Sequence, residues 1–472
     1  MRAFLASAVG VACITALAVP FVLPDGDATA TAHRASPDSA RVAVAGSTRT
    51  LPLSPAARSA VRAVDAPRVK PFSLLGVTWN DATAQIHGTV QVRTRSVRTG
   101  LWSDWKDVEA HTDDTPDAGS PEETAPGVRG ATAPLWVGDS DGVQVRVSPT
   151  AGRGRSAGPP LPAGLRLDMV DPGDDPDGGY DSGNDGYDEG FSGFGGYGGF
   201  GGYGGYGGYD GYDGHDSTDG VPGDSPADAN NNKNNNGNDQ PFEQSDNSLA
   251  EPAVIPPISK EETIAETGRG PYIGGRPRII TRSGWGADER LREHKFVYTK
   301  TVKVVFVHHS ATGNDYSCDE SDAVIRSIYR YHVRSSHWRD IGYNFLVDKC
   351  GNIYEGRAGG VTKAVFGAHT LGFNSNSMGV AVLGTYSNER PSDAAVRAVS
   401  QLAAWKLGLF GRNPEGTVSL LSGGSNKYRK GIRVSFQVIS GHRDGFHTEC
   451  PGDQLYDDLG AARRSAAGLQ GR

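Results

Sequence analysis

The sequence predicts an α/β domain at the C-terminal end, a mixed β-sheet packed by helices, preceded by a small N-terminal β-sandwich and a disordered linker. Three observations predict it. Of 65 glycines in 472 residues, 20 fall within 171–220, so that part of the chain is not a domain. Upstream, Val90, Val92 and Thr94 alternate with Gln91, Arg93 and Arg95, and Val143, Val145 and Val147 alternate with Gln144, Arg146 and Ser148. Such period-two patterning marks half-buried antiparallel strands. Downstream, β-branched runs are interleaved with helical spacing, which calls for helices packed on a sheet.

Residues 1–30 read as a signal peptide. Arg2 precedes an apolar run from Ala3 to Leu23, Asp25 and Asp27 close it, and Ala28-Thr29-Ala30 offers a small-residue cleavage site. An uncleaved anchor is the alternative, since the run is long enough to span a bilayer. Pro20 and the cleavage site favour removal, and no second run approaches membrane length. The expected protein is secreted or cell-wall-located, monomeric, and without stable membrane insertion.

Residues 31–65 are rich in Ala, Ser, Thr and Arg with little periodicity, and read as a disordered lead-in. Residues 66–170 form the expected sandwich, with further apolar runs at 72–79, 135–137 and 165–170. Trp79, Trp102, Trp105 and Trp136 lie here. They either fill a small core, the favoured reading, or line a carbohydrate-binding face.

Residues 171–260 are low in complexity. An aromatic recurs every third residue from Phe194 to Tyr212, mainly between Gly-Gly pairs, and an Asn run follows at Asn230–Asn236. Such a tract does not bury enough apolar surface to offset chain entropy. A flexible acidic spacer is expected; a segment that associates with wall polymer or with itself is the alternative. Asp171–Ser259 holds 18 Asp/Glu and one Lys, so a chain of net charge −8 is +9 elsewhere. No dense Lys/Arg face marks a nucleic-acid binder.

Residues 271–467 make up the α/β domain. Strands are expected at Lys303–His308, Ile341–Asp348, Ile353–Tyr354, Met378–Leu383 and Phe436–Ile439. Helices are expected at Asp322–Arg334, Ser392–Leu409 and Asp453–Ala467.

Loss of the signal removes Cys13 and leaves Cys318, Cys350 and Cys450. In an oxidising compartment an odd count means one pair and one thiol with another task, and spacing alone does not say which. His308-His309 ends the first strand, His442 follows the last, and Cys450 lies eight residues on. Two imidazoles and one thiolate leave a fourth tetrahedral position open, the pattern of a catalytic zinc site. His308 and His309 point to opposite faces, and the sequence does not choose between them. His447 stands as an alternative to His442. His332, on an apolar stripe, reads as a packed core histidine. His337 and His369 read as loop residues at the surface or against substrate. No H-E-x-x-H is present, which excludes the helix-based metalloprotease site.

Six segments carry a resemblance: RSGWGA (282–287), VVFVHHSA (304–311), YRYH (329–332), WRDIGYNFLVDKCGNIYEGR (338–357), GAHTLGFNSNSMGVAVLG (367–384) and GHRDGFHTECPG (441–452). Residues 279–465 resemble the peptidoglycan recognition protein family, which includes zinc N-acetylmuramoyl-L-alanine amidases and is similar to phage lysozyme-type amidases. The order of sandwich, spacer and amidase resembles secreted actinobacterial members. The resemblance implies Zn2+ held by His308, His442 and Cys450, with Tyr343 and Thr448 as catalytic residues. It also implies a Cys318–Cys350 disulfide and peptidoglycan, through its muropeptide stem, as partner. Trp285, His309, Arg357, His369, Asn374 and Arg443 are the implied substrate contacts. Arg357 and Arg443 suit the carboxylates of a stem peptide, or structural ion pairs. Ala358-Gly359-Gly360 replaces the Gly-Trp of many animal members, so stem preference does not carry over. The implied reaction is hydrolysis of the amide between the lactyl group of N-acetylmuramic acid and L-alanine. Zinc activates water and polarises the carbonyl, while Tyr343 orients the water or stabilises the oxyanion.

Overall fold

The computed structural model describes residues 45–56, 60–110, 114–150, 159–175, 241–245 and 252–472. The expected signal peptide and most of the 171–260 tract lie outside the described residues. Among the described residues, no helix is long and apolar enough to cross a membrane.

The N-terminal domain is a folded-over antiparallel sheet built around the long strand Leu135–Pro149. The first part of this strand pairs with Phe72–Trp79, whose other neighbour is Arg166–Gly173, followed by the edge strand Ala45–Pro52. The second part pairs with Arg62–Ala66 on one side and Gly88–Ser96 on the other. Leu75, Val77, Trp79, Val90, Val92, Val143, Val145 and Val147 fill the space between the two leaves. Alternation along each strand sends these residues inward and the intervening Gln and Arg outward.

The expected lead-in at 31–65 is corrected by this sheet. Ala45–Pro52 and Arg62–Ala66 are full strands, and the domain runs through Gly173. Their side chains are mostly half-buried because one is an edge strand, so hydrophobic alternation is weak there. The four tryptophans divide. Trp79 and Trp136 are buried, whereas Trp102 and Trp105 are half-buried beneath the guanidinium of Arg93.

The C-terminal domain is a seven-stranded mixed sheet. Its order is Val254–Ile255, Ile279–Ile280, Ile353–Glu355, Phe345–Val347, Ser377–Val382, Val304–His309 and Ile439–Gly441. The last three strands are parallel to one another. Helices Asp393–Leu409 and Asp453–Gln470 cover one face, burying Val399, Leu402, Trp405, Leu455 and Leu459. Ser392 caps the first of these by accepting from the Ala395 N–H. Helix Ser321–Arg330 covers the other face through Ile325 and Ile328.

Two boundaries differ from expectation. The fold starts before 271: strand Val254–Ile255 extends the sheet, helix Lys260–Thr267 follows, and Phe242–Ser245 pairs with Lys295–Tyr298. The run expected as one strand at 436–439 is split. Arg433–Gln437 closes a hairpin with Thr417–Leu421, and Ile439–Gly441 joins the main sheet. Phe436 and Leu420 bury the hairpin against Phe306 and Phe373.

Ala43–Arg472 forms one compact unit. Leu74, Trp136 and Val170 of the sandwich share a buried cluster with Ile328, Tyr331 and Tyr343 of the second domain. All eight residues of Phe72–Trp79 are buried, since one face of the strand meets the sandwich core and the other meets this joint. Gly76 leaves room for Tyr331, whose hydroxyl would lie 2.2 Å from an added Cβ and which donates to the Thr132 carbonyl at 3.1 Å.

Leu74→Ala is therefore expected to destabilise the protein by about 2–5 kcal/mol, as for other large-to-small core changes. Urea denaturation followed by tryptophan fluorescence measures it; a loss under about 1 kcal/mol would show that the joint repacks.

Candidate metal centre

Parallel pairing builds the centre. Val305 lies opposite Ile439 and Val307 opposite Gly441, so His308 and His442 emerge side by side at the C-terminal ends of neighbouring strands. Their ring centroids are 4.5 Å apart. Crevices at the carboxyl ends of parallel strands are the usual ligand sites of such sheets. The loop after His442 returns Cys450 to the same point, tied by the Arg443 N–H donating to the Cys450 carbonyl at 3.0 Å. Cys450 Sγ is 3.7 Å from His308 Nδ1. Ligand atoms of His308, His442 and Cys450 all lie within 4.8 Å of one another, and all three residues are buried.

The surroundings orient these groups. The Thr370 hydroxyl lies 3.4 Å from His308 Nε2 and 3.0 Å from His369 Nδ1, leaving His308 Nδ1 to face the centre. Such outer partners fix ring orientation in metal sites. Two nitrogens and a thiolate at these separations suit a borderline-soft ion, and the donor set fits zinc. Cys318 and Cys350 are joined as a disulfide, and among the described residues Cys450 alone is outside one.

Tyr343 sits in the turn before Phe345–Val347. Asn344 secures this turn by accepting from the Gly379 N–H at 2.8 Å and donating to the Val365 carbonyl at 2.9 Å. His332 Nδ1 accepts from the Gly342 N–H at 3.2 Å while its ring stacks on Trp338. His332 is therefore both a packed core residue, as expected, and a support for the Tyr343 turn. Burial pushes its pKa down to about 3, and burial likewise raises the Tyr343 phenol well above its usual value. Thr448 lines the cavity at the centre, and its hydroxyl accepts from the Cys450 N–H at 3.0 Å.

The other expected site residues separate into two groups. Arg357 and Asn374 face a segment of the N-terminal domain. Arg357 forks onto Glu122 at 2.9 and 2.7 Å. Asn374 donates to Asp117 at 2.8 Å and accepts from the His369 and Thr370 N–H groups. His309 points away from the metal cluster and lies 3.4 Å from Glu109. Arg443 is paired with Asp453 at 2.6 Å.

Trp285 and His369 are placed differently from expectation. Trp285 is fully buried and donates to the Glu355 carbonyl at 2.7 Å. His369 is fully buried beside Thr370 and Ser377. Neither lines the cavity, because strand and loop packing turn both rings inward. His447 is exposed, with its N–H on Asn426, and does not join the cluster.

The acidic groups at the centre come from the sandwich and were not among the expected residues. Asp114 Oδ1 lies 2.9 Å from His308 Nδ1 and 3.3 Å from His442 Nδ1, and its Oδ2 accepts from the Tyr343 hydroxyl at 2.6 Å. Burial works to raise its pKa, but the His308 and His442 imidazoles hold it well below the carboxylate range.

Residues 298–453 match the family model described as N-acetylmuramoyl-L-alanine amidase, and residues 31–163 match one described as Rv3811 N-terminal galactose-binding domain-like. Peptidoglycan-recognition protein SC2 of Drosophila melanogaster is 32% identical over 184 residues, 38% of this chain and 84% of that protein. The chain belongs to the peptidoglycan recognition protein and N-acetylmuramoyl-L-alanine amidase family. A human N-acetylmuramoyl-L-alanine amidase is 33% identical over 187 residues, 39% of this chain but only 28% of that protein's length. Among solved structures, wild-type Drosophila PGRP-LB is 28% identical, covering 39% of this chain and 93% of that one, with a TM-score of 0.30. The match to the relatives falls in the C-terminal part of this chain, downstream of the residues that match the galactose-binding-like model.

Two outcomes are expected. Non-reducing peptide mapping should find Cys318 linked to Cys350, with Cys450 alkylated only after unfolding; a bridge including Cys450 would break the centre as described. His332 has a folded pKa below its unfolded value of about 6.5. Between those values the unfolded chain binds one more proton, so stability rises with pH and is lost as pH falls from about 6.5. The urea midpoint should follow this course, and His332→Asn should flatten it.

Proposed function

We propose that the protein is an exported zinc amidase that hydrolyses the amide between the lactyl group of N-acetylmuramic acid and L-alanine in peptidoglycan. The observation that carries this reading is Cys450 converging with His308 and His442, beside the Tyr343 phenol. When bound by these three residues, a zinc ion would supply activated water at neutral pH and polarisation of the scissile carbonyl.

The chain's own groups do the rest. His308, held through Thr370, and His442, held at its strand end, present nitrogens to one point. Tyr343 keeps its proton across the physiological range and donates toward the position where charge develops on the carbonyl oxygen. Thr448 borders the same space and braces the Cys450 backbone. Arg357 and Asn374 present a guanidinium and an amide to an anionic stem peptide. His309 flanks the opening, and Arg443 contributes through its ion pair with Asp453. The Cys318–Cys350 disulfide and the apolar N-terminal run are consistent with an oxidising, extracytoplasmic location.

Incubation of the full-length protein with peptidoglycan, with and without chelator, tests the reading through release of L-alanine amino termini. Cys450→Ala is expected to lose zinc and cleavage together. Tyr343→Phe is expected to keep zinc and lose about 10²–10³ in rate. Peptidoglycan binding without cleavage by the zinc-loaded parent and by zinc-loaded Asp114→Ala alike would make it a recognition protein instead.

A further inference from the structure

The centre is closed by the protein itself. His308 and His442 are 0% exposed, Tyr343 3% and Cys450 5%. The cavity remaining beside them is about 40 Å³, bounded by Ala131–Pro134 of the sandwich as well as by the amidase domain. That is room for a few waters, whereas a pocket for a drug-sized ligand spans roughly 300–1,000 Å³. The space left beside these residues is far smaller than a glycopeptide needs while the sandwich segment is in place.

We propose that Asp114 is a fourth protein ligand of the His308–His442–Cys450 centre, and that the acidic segment carrying it occupies the substrate groove as an internal competitor of an anionic peptide. The inference rests on reading the centre as a zinc site.

Its geometry is specific. Around a tetrahedral zinc, nitrogen and oxygen ligands sit about 3.3 Å from one another and about 3.6 Å from a thiolate sulfur, as follows from the bond lengths. Asp114 Oδ1 is 2.9 and 3.3 Å from the two Nδ1 atoms, and Cys450 Sγ is 3.7 Å from one of them. The carboxylate oxygen therefore stands at ligand-to-ligand distance from both imidazole donors. Its second oxygen takes the Tyr343 hydroxyl, so a single side chain occupies both groups that a scissile carbonyl needs.

The rest of the segment continues the pattern. Asp117 accepts from the Gly372 N–H at 2.7 Å and the Asn374 amide at 2.8 Å, and the Thr115 carbonyl accepts from that amide at 3.0 Å. Glu122 forks onto Arg357, with both side chains at most 6% exposed. Paired forks of this kind are the strongest carboxylate contacts that arginine makes. Three carboxylates thus rest on three groups suited to an anionic substrate. Residues 107–128 hold seven Asp/Glu and no Lys/Arg, while 271–472 holds 27 Lys/Arg against 18 Asp/Glu. Charge complementarity favours the docked arrangement.

The test uses the full-length protein, loaded with zinc or cobalt(II), as parent, Asp114→Ala, Asp114→Asn and Glu122→Gln. The near-isosteric Asn and Gln variants guard against a folding artefact. In Asp114→Ala the visible bands of the cobalt form should shift, and chelator competition should show zinc held about tenfold or more less tightly, a loss that even outer partners of metal ligands cause. Calorimetry with a soluble muropeptide should show at least about tenfold tighter binding in Asp114→Ala and Glu122→Gln, because a docked state populated at 99% lowers apparent affinity about 100-fold. An unchanged cobalt spectrum in Asp114→Ala would overturn the ligand assignment. Muropeptide affinity equal to the parent's in both Asp114→Ala and Glu122→Gln would overturn the competition. A parent that binds no zinc would overturn this inference together with the zinc reading itself.

Discussion

The parallel pairing of Val304–His309 with Ile439–Gly441 is the constraint on which the rest depends. These strands are 130 residues apart in the chain, yet their register leaves two histidines adjacent at the same sheet edge. A one-residue slip would turn His308 to the other face. The register is held by burial, since every residue of Val304–His309 is buried, with Val305 and Val307 against the helices on one side and Val304 and Phe306 against the hairpin of Thr417–Leu421 and Arg433–Gln437 on the other. The same strand also pairs with Ser377–Val382, and the loop before that strand sets the Thr370 hydroxyl against His308.

The second constraint is the joint between domains. Phe72–Trp79 is buried on both faces, an arrangement that makes a strand read as a continuous apolar run instead of an alternating one. One face belongs to the sandwich core and the other to a cluster shared with helix Ser321–Arg330. This shared core sets the sandwich at the mouth of the centre, and the described residues 114–122 then lie across it. Packing energy in the joint and charge pairing in the groove therefore act on the same geometry.

Much was legible in the residues alone. The β-branched run ending in His308-His309, the His442 at a strand end and the odd thiol at Cys450 pointed to three donors before any coordinate, because metal chemistry restricts ligand types and strand ends restrict their positions. The helices expected at 392–409 and 453–467 are observed at Asp393–Leu409 and Asp453–Gln470. Trp285 and His369 were misplaced, since a motif identifies a residue's neighbourhood but not the direction its side chain takes once loops pack. The strands at 45–52 and 62–66 were missed because half-burial dilutes alternation.

Residue chemistry and local periodicity determined the fold class, the types of donor residue and the charge of each segment. Only tertiary structure decided which histidine of the His308-His309 pair faces the centre and that His442 rather than His447 joins it. Only it brought Asp114, Asp117 and Glu122 onto the groove. Seven acids without a base lie between 107 and 128, and nothing local marks the contacts they make. Their partners in the second domain, from His308 to His442, lie 194 residues or more away in sequence. Contacts of that range arise from how two separately folded surfaces dock, which hydrophobic periodicity within either one does not encode.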